Sequence, residues 1–153
     1  MNKTLMNLDR PIACIGGGLI GGGWAAYFLG QGCDVVAWDP APDGEERLRN
    51  LISDAWKHMT DLGIAADASP ERLVFASSLE SAVENARFVQ ESAPEVMSVK
   101  QDLLARIDAA ADPDVIIASS TSGLSVTNIQ KTAARAERIV AGHPFNPSYL
   151  IPL

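Results

Sequence analysis

Two stretches in the second half of the chain carry side chains that could move a proton and hold an oxygen: Ser119-Ser120-Thr121-Ser122-Gly123 and Gly142-His143-Pro144-Phe145-Asn146-Pro147. An imidazole titrates near neutral pH and can act as a general base, while hydroxyl and amide groups can hold an oxygen on which charge develops. That set is what removal of hydrogen from a secondary alcohol requires. His143 is the only histidine in a plausible position, because His58 lies off the apolar stripe of a helix and reads as a solvated residue. On spacing alone, His143 beside Pro144 could equally be a loop-capping residue. Glu95 with Lys100, Ser122, and His143 with Asn146 all fall in or near loops that follow strand-like runs.

The first half carries a different chemistry. The apolar run Ile12, Ala13, Cys14, Ile15 breaks abruptly into Gly16-Gly17-Gly18-Leu19-Ile20-Gly21-Gly22-Gly23. Each glycine of Gly16-x-Gly18-x-x-Gly21 has a physical reason in a dinucleotide-binding turn. One makes the turn, one lets a pyrophosphate approach the backbone, and one packs helix against strand. The N–H groups of the helix start then face the anion, which makes Gly16, Gly18, Leu19, Ile20 and Gly21 candidate coenzyme contacts. The run Asp34-Val35-Val36-Ala37-Trp38 leads into Asp39, close to the roughly 20-residue spacing of a ribose-binding carboxylate. Such a carboxylate accepts both ribose hydroxyls and repels a 2′-phosphate, so NAD is expected over NADP. Pro40, Ala41 and Pro42 follow it, with no arginine immediately behind. The competing reading is a glycine turn that binds nothing. The strand before it, the helix after it and the position of Asp39 weigh against that.

These residues need elements to position them. Residues 11–15 suit a buried central strand, and Trp24, Ala25, Ala26, Tyr27, Phe28 and Leu29 continue a helix ended by Gly30 or Gly32. A long amphipathic helix begins near Glu45, with Leu48, Leu51, Ile52, Ala55, Trp56, Met59 and Leu62 on one face, and Gly63 stops it. Residues 65–81 form a connector with a short strand at 73–76, and Ser78 caps a brief helix at 79–85. Strands at 88–91, 115–118 and 138–141 alternate with helices at 97–110 and 126–134. The pattern is that of an α/β Rossmann fold, a doubly wound parallel sheet with helices on both faces, in one domain over residues 1–153.

Bulk properties narrow the function class. The 153 residues are 47% hydrophobic and 20% charged, ordinary for a globular domain. A formal net charge of −7 without a basic block argues against nucleic acid and anionic membrane surfaces as partners. Cys14 and Cys33 lack metal-ligand spacing and read as reduced thiols, so no metal site is expected. No run reaches the roughly 18 apolar residues of a membrane span, and the start of the chain lacks a signal-peptide core. A cytoplasmic location is expected.

Taken together, the glycine turn, Glu91-Ser92-Ala93-Pro94-Glu95, Ser119-Ser120-Thr121-Ser122-Gly123 and Gly142-His143-Pro144-Phe145-Asn146-Pro147 resemble the NAD-binding domain of the 3-hydroxyacyl-CoA dehydrogenase family. The likeness spans the chain in motif order. Ser-Ser-Thr-Ser-Gly and the His-Pro-Phe-Asn-Pro stretch running to Pro152-Leu153 look more like its carnitine dehydrogenases than its acyl-CoA enzymes, where Asn is common in place of Ser120. The resemblance implies that His143 is the general base and that Ser122 and Asn146 contact the substrate oxygen and nicotinamide. It also implies that Glu95 and Lys100 lie near the nicotinamide ribose and Asp39 on the adenosine ribose. A small 3-hydroxy acid of the L-carnitine type, or a 3-hydroxyacyl-CoA, is then the expected substrate. Family members continue into a glutamate that holds the histidine and a helical domain that completes the substrate site and a homodimer. Both are absent from this chain, so it is expected to be a fragment that binds NAD and turns over poorly. A non-catalytic dinucleotide-binding module, a redox sensor or structural protein, is the alternative.

Overall fold

The computed structural model describes residues 9–151. Its strands are β1 (Ile12–Ile15), β2 (Val35–Trp38), β3 (Leu73–Phe75), β4 (Phe88–Glu91), β5 (Ile116–Ser119) and β6 (Ile139–Ala141). They form one parallel sheet in the order β3-β2-β1-β4-β5-β6. The helices are α1 (Leu19–Gly30), α2 (Gly44–Leu62), α3 (Leu79–Val83), α4 (Met97–Ala110) and α5 (Val126–Ile129). Because β1 pairs with both β2 and β4, the winding reverses there, and a ligand crevice is expected beyond the carboxyl ends of these strands.

Alternation along β1 explains why its apolar run is unbroken. Ala13 and Ile15 face a core completed by Leu79, Val83, Leu104 and Ile107 from α3 and α4. Ile12 and Cys14 face the other, completed by Trp24, Leu29, Leu48 and Ile52 from α1 and α2. Burial pushes the Cys14 thiol up to about 12, so it behaves as a small hydrophobe. On the second face α1 and α2 leave part of the sheet uncovered. Ile116 and Val140 stay 49% and 41% exposed there, beside a cavity of about 570 Å³ also lined by Trp24, Phe28 and Phe88.

Local signals account for most boundaries. Ser78 and Ser81 cap α3 reciprocally, and Gly63, with φ +99°, follows α2. At the end of α1, Gly30 is the last helical residue and Gly32 takes the left-handed conformation at φ +75°. The helix expected over residues 126–134 is cut short, α5 being a single turn. Asp108 of α4 accepts the backbone N–H of Ala134 at 2.8 Å and of Arg135 at 3.1 Å, while the Gln101 amide binds the carbonyl of Asn128 at 2.9 Å. These tertiary partners replace the i to i−4 ladder. The fifth strand lies one residue later than expected, at Ile116–Ser119, and Arg138 belongs to a 3-10 turn, Ala136–Arg138, before β6. A second 3-10 turn, Pro70–Arg72, capped by Ser69, precedes a β3 that ends at Phe75.

Candidate active site

The carboxyl edge is organised by four residues, each immediately after a strand. Gly16 donates its N–H to Trp38 O at 2.9 Å, Ser92 to Ile15 O at 2.7 Å, Ser120 to Glu91 O at 2.8 Å and Gly142 to Ser119 O at 2.9 Å. The ladder thus runs one residue beyond β1, β4, β5 and β6 and sets Gly16, Ser92, Ser120 and Gly142 in a row. Side chains bind the row further. The Ser92 and Ser120 hydroxyls are 2.9 Å apart, and the buried Gln90 amide donates to Ser120 Oγ at 2.8 Å and to Gly142 O at 3.2 Å. The glycine turn, the serine loop and the histidine loop therefore leave one edge in fixed relation.

At the turn, Gly16 has φ +100°, and a Cβ there would lie 2.7 Å from Ser92 O, so only glycine fits. A Cβ on Gly21 would overlap the carbonyl oxygen of Gly16, which fixes how closely α1 packs. Gly18 differs. It is the N-cap of α1, with φ −74° and no side-chain cap, it is exposed, and a Cβ on it would meet nothing within 4 Å. The free N–H groups of α1 thus open onto a vacant approach, which suits a pyrophosphate. Asp39 follows β2 directly with its carboxylate turned to the turn, accepting from Gly17 N at 2.6 Å and Ala41 N at 2.9 Å. Gly16, Gly18, Leu19, Ile20 and Asp39 share a cleft of about 780 Å³. The residues present therefore fit a dinucleotide. NAD is the coenzyme implied, and Asp39 and the start of α1 are the residues available to hold it.

Glu95 and Lys100 occupy a different setting from the one their types suggest. Glu95 Oε1 accepts from Thr121 Oγ1 at 2.8 Å and from the N–H groups of Ser122, Gly123 and Leu124 at 2.9, 2.8 and 3.2 Å. Partial burial pushes its pKa up, but the Gly123 N–H, the Thr121 hydroxyl and the Ser122 and Leu124 N–H groups outweigh that and hold it down at about 2. The carboxylate is thus the scaffold of the Ser122 loop. Lys100 is 1% exposed. Its Nζ lies 2.7 Å from Glu91 Oε1, 3.1 Å from Ala93 O and 3.8 Å from Glu95 Oε2, so its charge reaches the edge through these partners. Ser119 Oγ also donates to Glu91.

His143 and Asn146 are exposed beyond β6. After a cis Asn146–Pro147 peptide, the chain crosses the first turn of α1. Buried Ser148 donates to Ile20 O at 3.3 Å, and a Cβ on Gly23 would overlap its hydroxyl. Leu19 and Asn146 line one cavity of about 260 Å³. The structure thus brings the His143 loop against the helix whose start faces the cleft. His58 is exposed on α2, away from this edge.

Sequence reasoning missed Gln90 and the buried Glu91–Lys100 pair, although a glutamate closing an apolar strand is itself a signal for a buried partner; Ser92, in a loop read from the sequence as a candidate for coenzyme contact, does line the cleft. Sequence reasoning also missed Arg47 and Arg106, which line the cleft. No group of three or more His, Cys, Asp or Glu placed to hold a metal occurs among the described residues. None of their helices is long and apolar enough to cross a membrane.

Comparison with known proteins identifies the family and agrees with the fold. The family model "3-hydroxyacyl-CoA dehydrogenase, NAD binding domain" matches residues 11–153. An L-carnitine dehydrogenase of Streptomyces coelicolor is 60% identical over 144 residues, covering 94% of this chain and 45% of that protein. One from Pseudomonas putida is 51% identical with the same coverage, so the chain spans less than half the length of these curated relatives. Among solved structures, 5-formyl-3-hydroxy-2-methylpyridine 4-carboxylic acid 5-dehydrogenase, an NAD+-dependent dismutase, is 36% identical. It aligns with a TM-score of 0.84 over 94% of this chain and 47% of its own. A 3-hydroxybutyryl-CoA dehydrogenase from Escherichia coli K12 is 26% identical, with a TM-score of 0.81 over 93% of this chain and 30% of its own. The chain belongs to the 3-hydroxyacyl-CoA dehydrogenase family, as its NAD-binding domain.

Proposed function

We propose that this chain is the coenzyme-binding part of a longer dehydrogenase that oxidises the 3-hydroxyl of a small 3-hydroxy acid, with an L-carnitine-like substrate favoured over a 3-hydroxyacyl-CoA. The observation that carries the reading is the row Gly16, Ser92, Ser120, Gly142, from which the His143 loop and the glycine turn leave the same edge. NAD, when bound, supplies the acceptor for the hydride that leaves the substrate carbon. His143 takes the proton from the substrate hydroxyl, while Ser122 Oγ and the Asn146 amide hold the oxygen and orient the nicotinamide side of the cleft. Glu95 keeps Ser122 in place through three backbone N–H groups. The L-carnitine preference is supported by relatives at 51% and 60% identity that bear that activity's name, against 26% for the 3-hydroxybutyryl-CoA enzyme.

The test is NADH formation by the chain expressed with whatever its reading frame continues into, assayed on L-carnitine, 3-hydroxybutyrate and 3-hydroxybutyryl-CoA. We expect kcat/KM for L-carnitine to exceed the others at least about tenfold, a gap of roughly 1.4 kcal/mol in transition-state binding. His143→Ala should lower kcat by about 10²–10⁴ with NAD affinity kept. Unchanged turnover would remove His143 from the mechanism, and preference for the CoA thioester would overturn the carnitine assignment.

A further inference from the structure

Asp39 does not stand alone at the adenosine end of the cleft. Asp39 and Arg47 both line the cleft, and α2, whose first turn abuts Asp39, brings Arg47 back to the tip of β2. A Cβ on Gly44 would lie 2.8 Å from the Asp39 Cβ. Arg47 Nη2 is 3.6 Å from Asp39 Oδ1 and Arg47 Nε is 3.5 Å from Asp43 Oδ2. The carboxylate of Asp39 and the guanidinium of Arg47 are held unequally. Asp39, with its side chain 12% exposed, is fixed by the N–H groups of Gly17 and Ala41. Arg47, 50% exposed, makes two ion pairs longer than a hydrogen bond. Loose pairs of this kind contribute little, so the guanidinium can turn to a stronger anion at small cost. A phosphate accepts two parallel N–H bonds from such a group.

We infer that Arg47 is a specificity-determining residue of the adenosine subsite: the fixed charge of Asp39 excludes a 2′-phosphate, and once that charge is removed Arg47 becomes the phosphate's partner. The inference rests on the NAD reading above. The ribose carboxylate and a cation competent for NADP are thus both already in the cleft, and one charge decides between the coenzymes. Arg106, the other cation lining the cleft, is engaged elsewhere. It pairs with Glu80 at 2.9 Å and lies 6.0 Å from the centre of the Trp38 ring.

The test is fluorescence titration of the purified chain with NADH and with NADPH, with melting temperature measured on every variant. The unmodified chain should bind NADH and discriminate against NADPH. Asp39→Asn, which keeps an acceptor oxygen for one of the two N–H groups, should tighten NADPH at least about tenfold and weaken NADH. Asp39→Ser serves as the second variant if the amide disturbs the turn. Adding Arg47→Met to whichever variant gains NADPH should abolish the gain, and the gain should shrink in high salt. The inference is overturned if both Asp39 variants stay folded and bind NADH without gaining NADPH. It is equally overturned if the gain survives Arg47→Met. If the unmodified chain binds neither nucleotide, the coenzyme reading itself fails and this inference falls with it.

Discussion

Gly18 separates what the fold needs from what the coenzyme needs. Its φ of −74° and ψ of −171° are open to any residue, and an added Cβ meets no protein atom within 4 Å. For the folded chain, Gly18→Ala has two small opposing effects. Less freedom in the unfolded state stabilises by about 0.4–1 kcal/mol, and alanine is a poorer N-cap than glycine by a comparable amount. The net change should stay under about 1 kcal/mol, a Tm shift below about 4 °C for a domain of this size. The methyl nevertheless occupies the approach to the N–H groups of α1, the proposed place of the pyrophosphate. Losing one charge-assisted hydrogen bond there costs roughly 1.5–3 kcal/mol, or about a 10- to 150-fold weaker Kd for NAD. Calorimetric titration with NAD beside a thermal melt reads both quantities. Gly21→Ala is the contrast, since its methyl overlaps Gly16 O and should lower stability by about 1–3 kcal/mol as well as binding. A Gly18→Ala chain that binds NAD within twofold of the unmodified one would refute the placement of the pyrophosphate.

Two further outcomes follow from the charges at the carboxyl edge. Lys100→Met strands Glu91, which is fully buried, and should cost about 3–5 kcal/mol in urea unfolding, part of it recovered by adding Glu91→Gln. Glu95 is held at about 2, below its ordinary 4.5. Its folded pKa being depressed, its contribution is present above about 4.5 and is lost as pH falls toward 2. The Tm difference between the unmodified chain and Glu95→Gln should therefore be largest at neutral pH and close over that window, and a difference independent of pH would contradict the role given to the carboxylate.

Much of this architecture can be read from residues 12–39, where a short apolar strand, a glycine turn and a terminal aspartate each have one physical use. The same holds for β4, whose boundaries fall where its apolar run begins and its polar loop starts. Long-range partners are less legible. The helical pattern continues to residue 134, yet Asp108, 26 residues earlier, takes the N–H of Ala134 and ends α5 early. The burial of Lys100 depends on Glu91 lying opposite it across the loop that follows β4. The residues after Asp39 look free of arginine, and only the course of α2 brings Arg47 to it. The types of Glu95, Ser122, His143 and Asn146 suggest a shared edge. That Glu95 binds the Ser122 loop, while Lys100 is turned inward, is a matter of packing that spacing does not encode.

The most direct test is amide hydrogen exchange of the purified chain with and without saturating NAD. Slowed exchange should fall on Gly16 to Ile20 at the start of α1, on Ser92 and Ala93, and on Ser122 to Leu124. These segments line the cleft or adjoin it through Glu95. Protection confined to the cavity of about 590 Å³ around Arg49, Trp56 and Glu71, or no protection at all, would contradict an NAD site at the glycine turn.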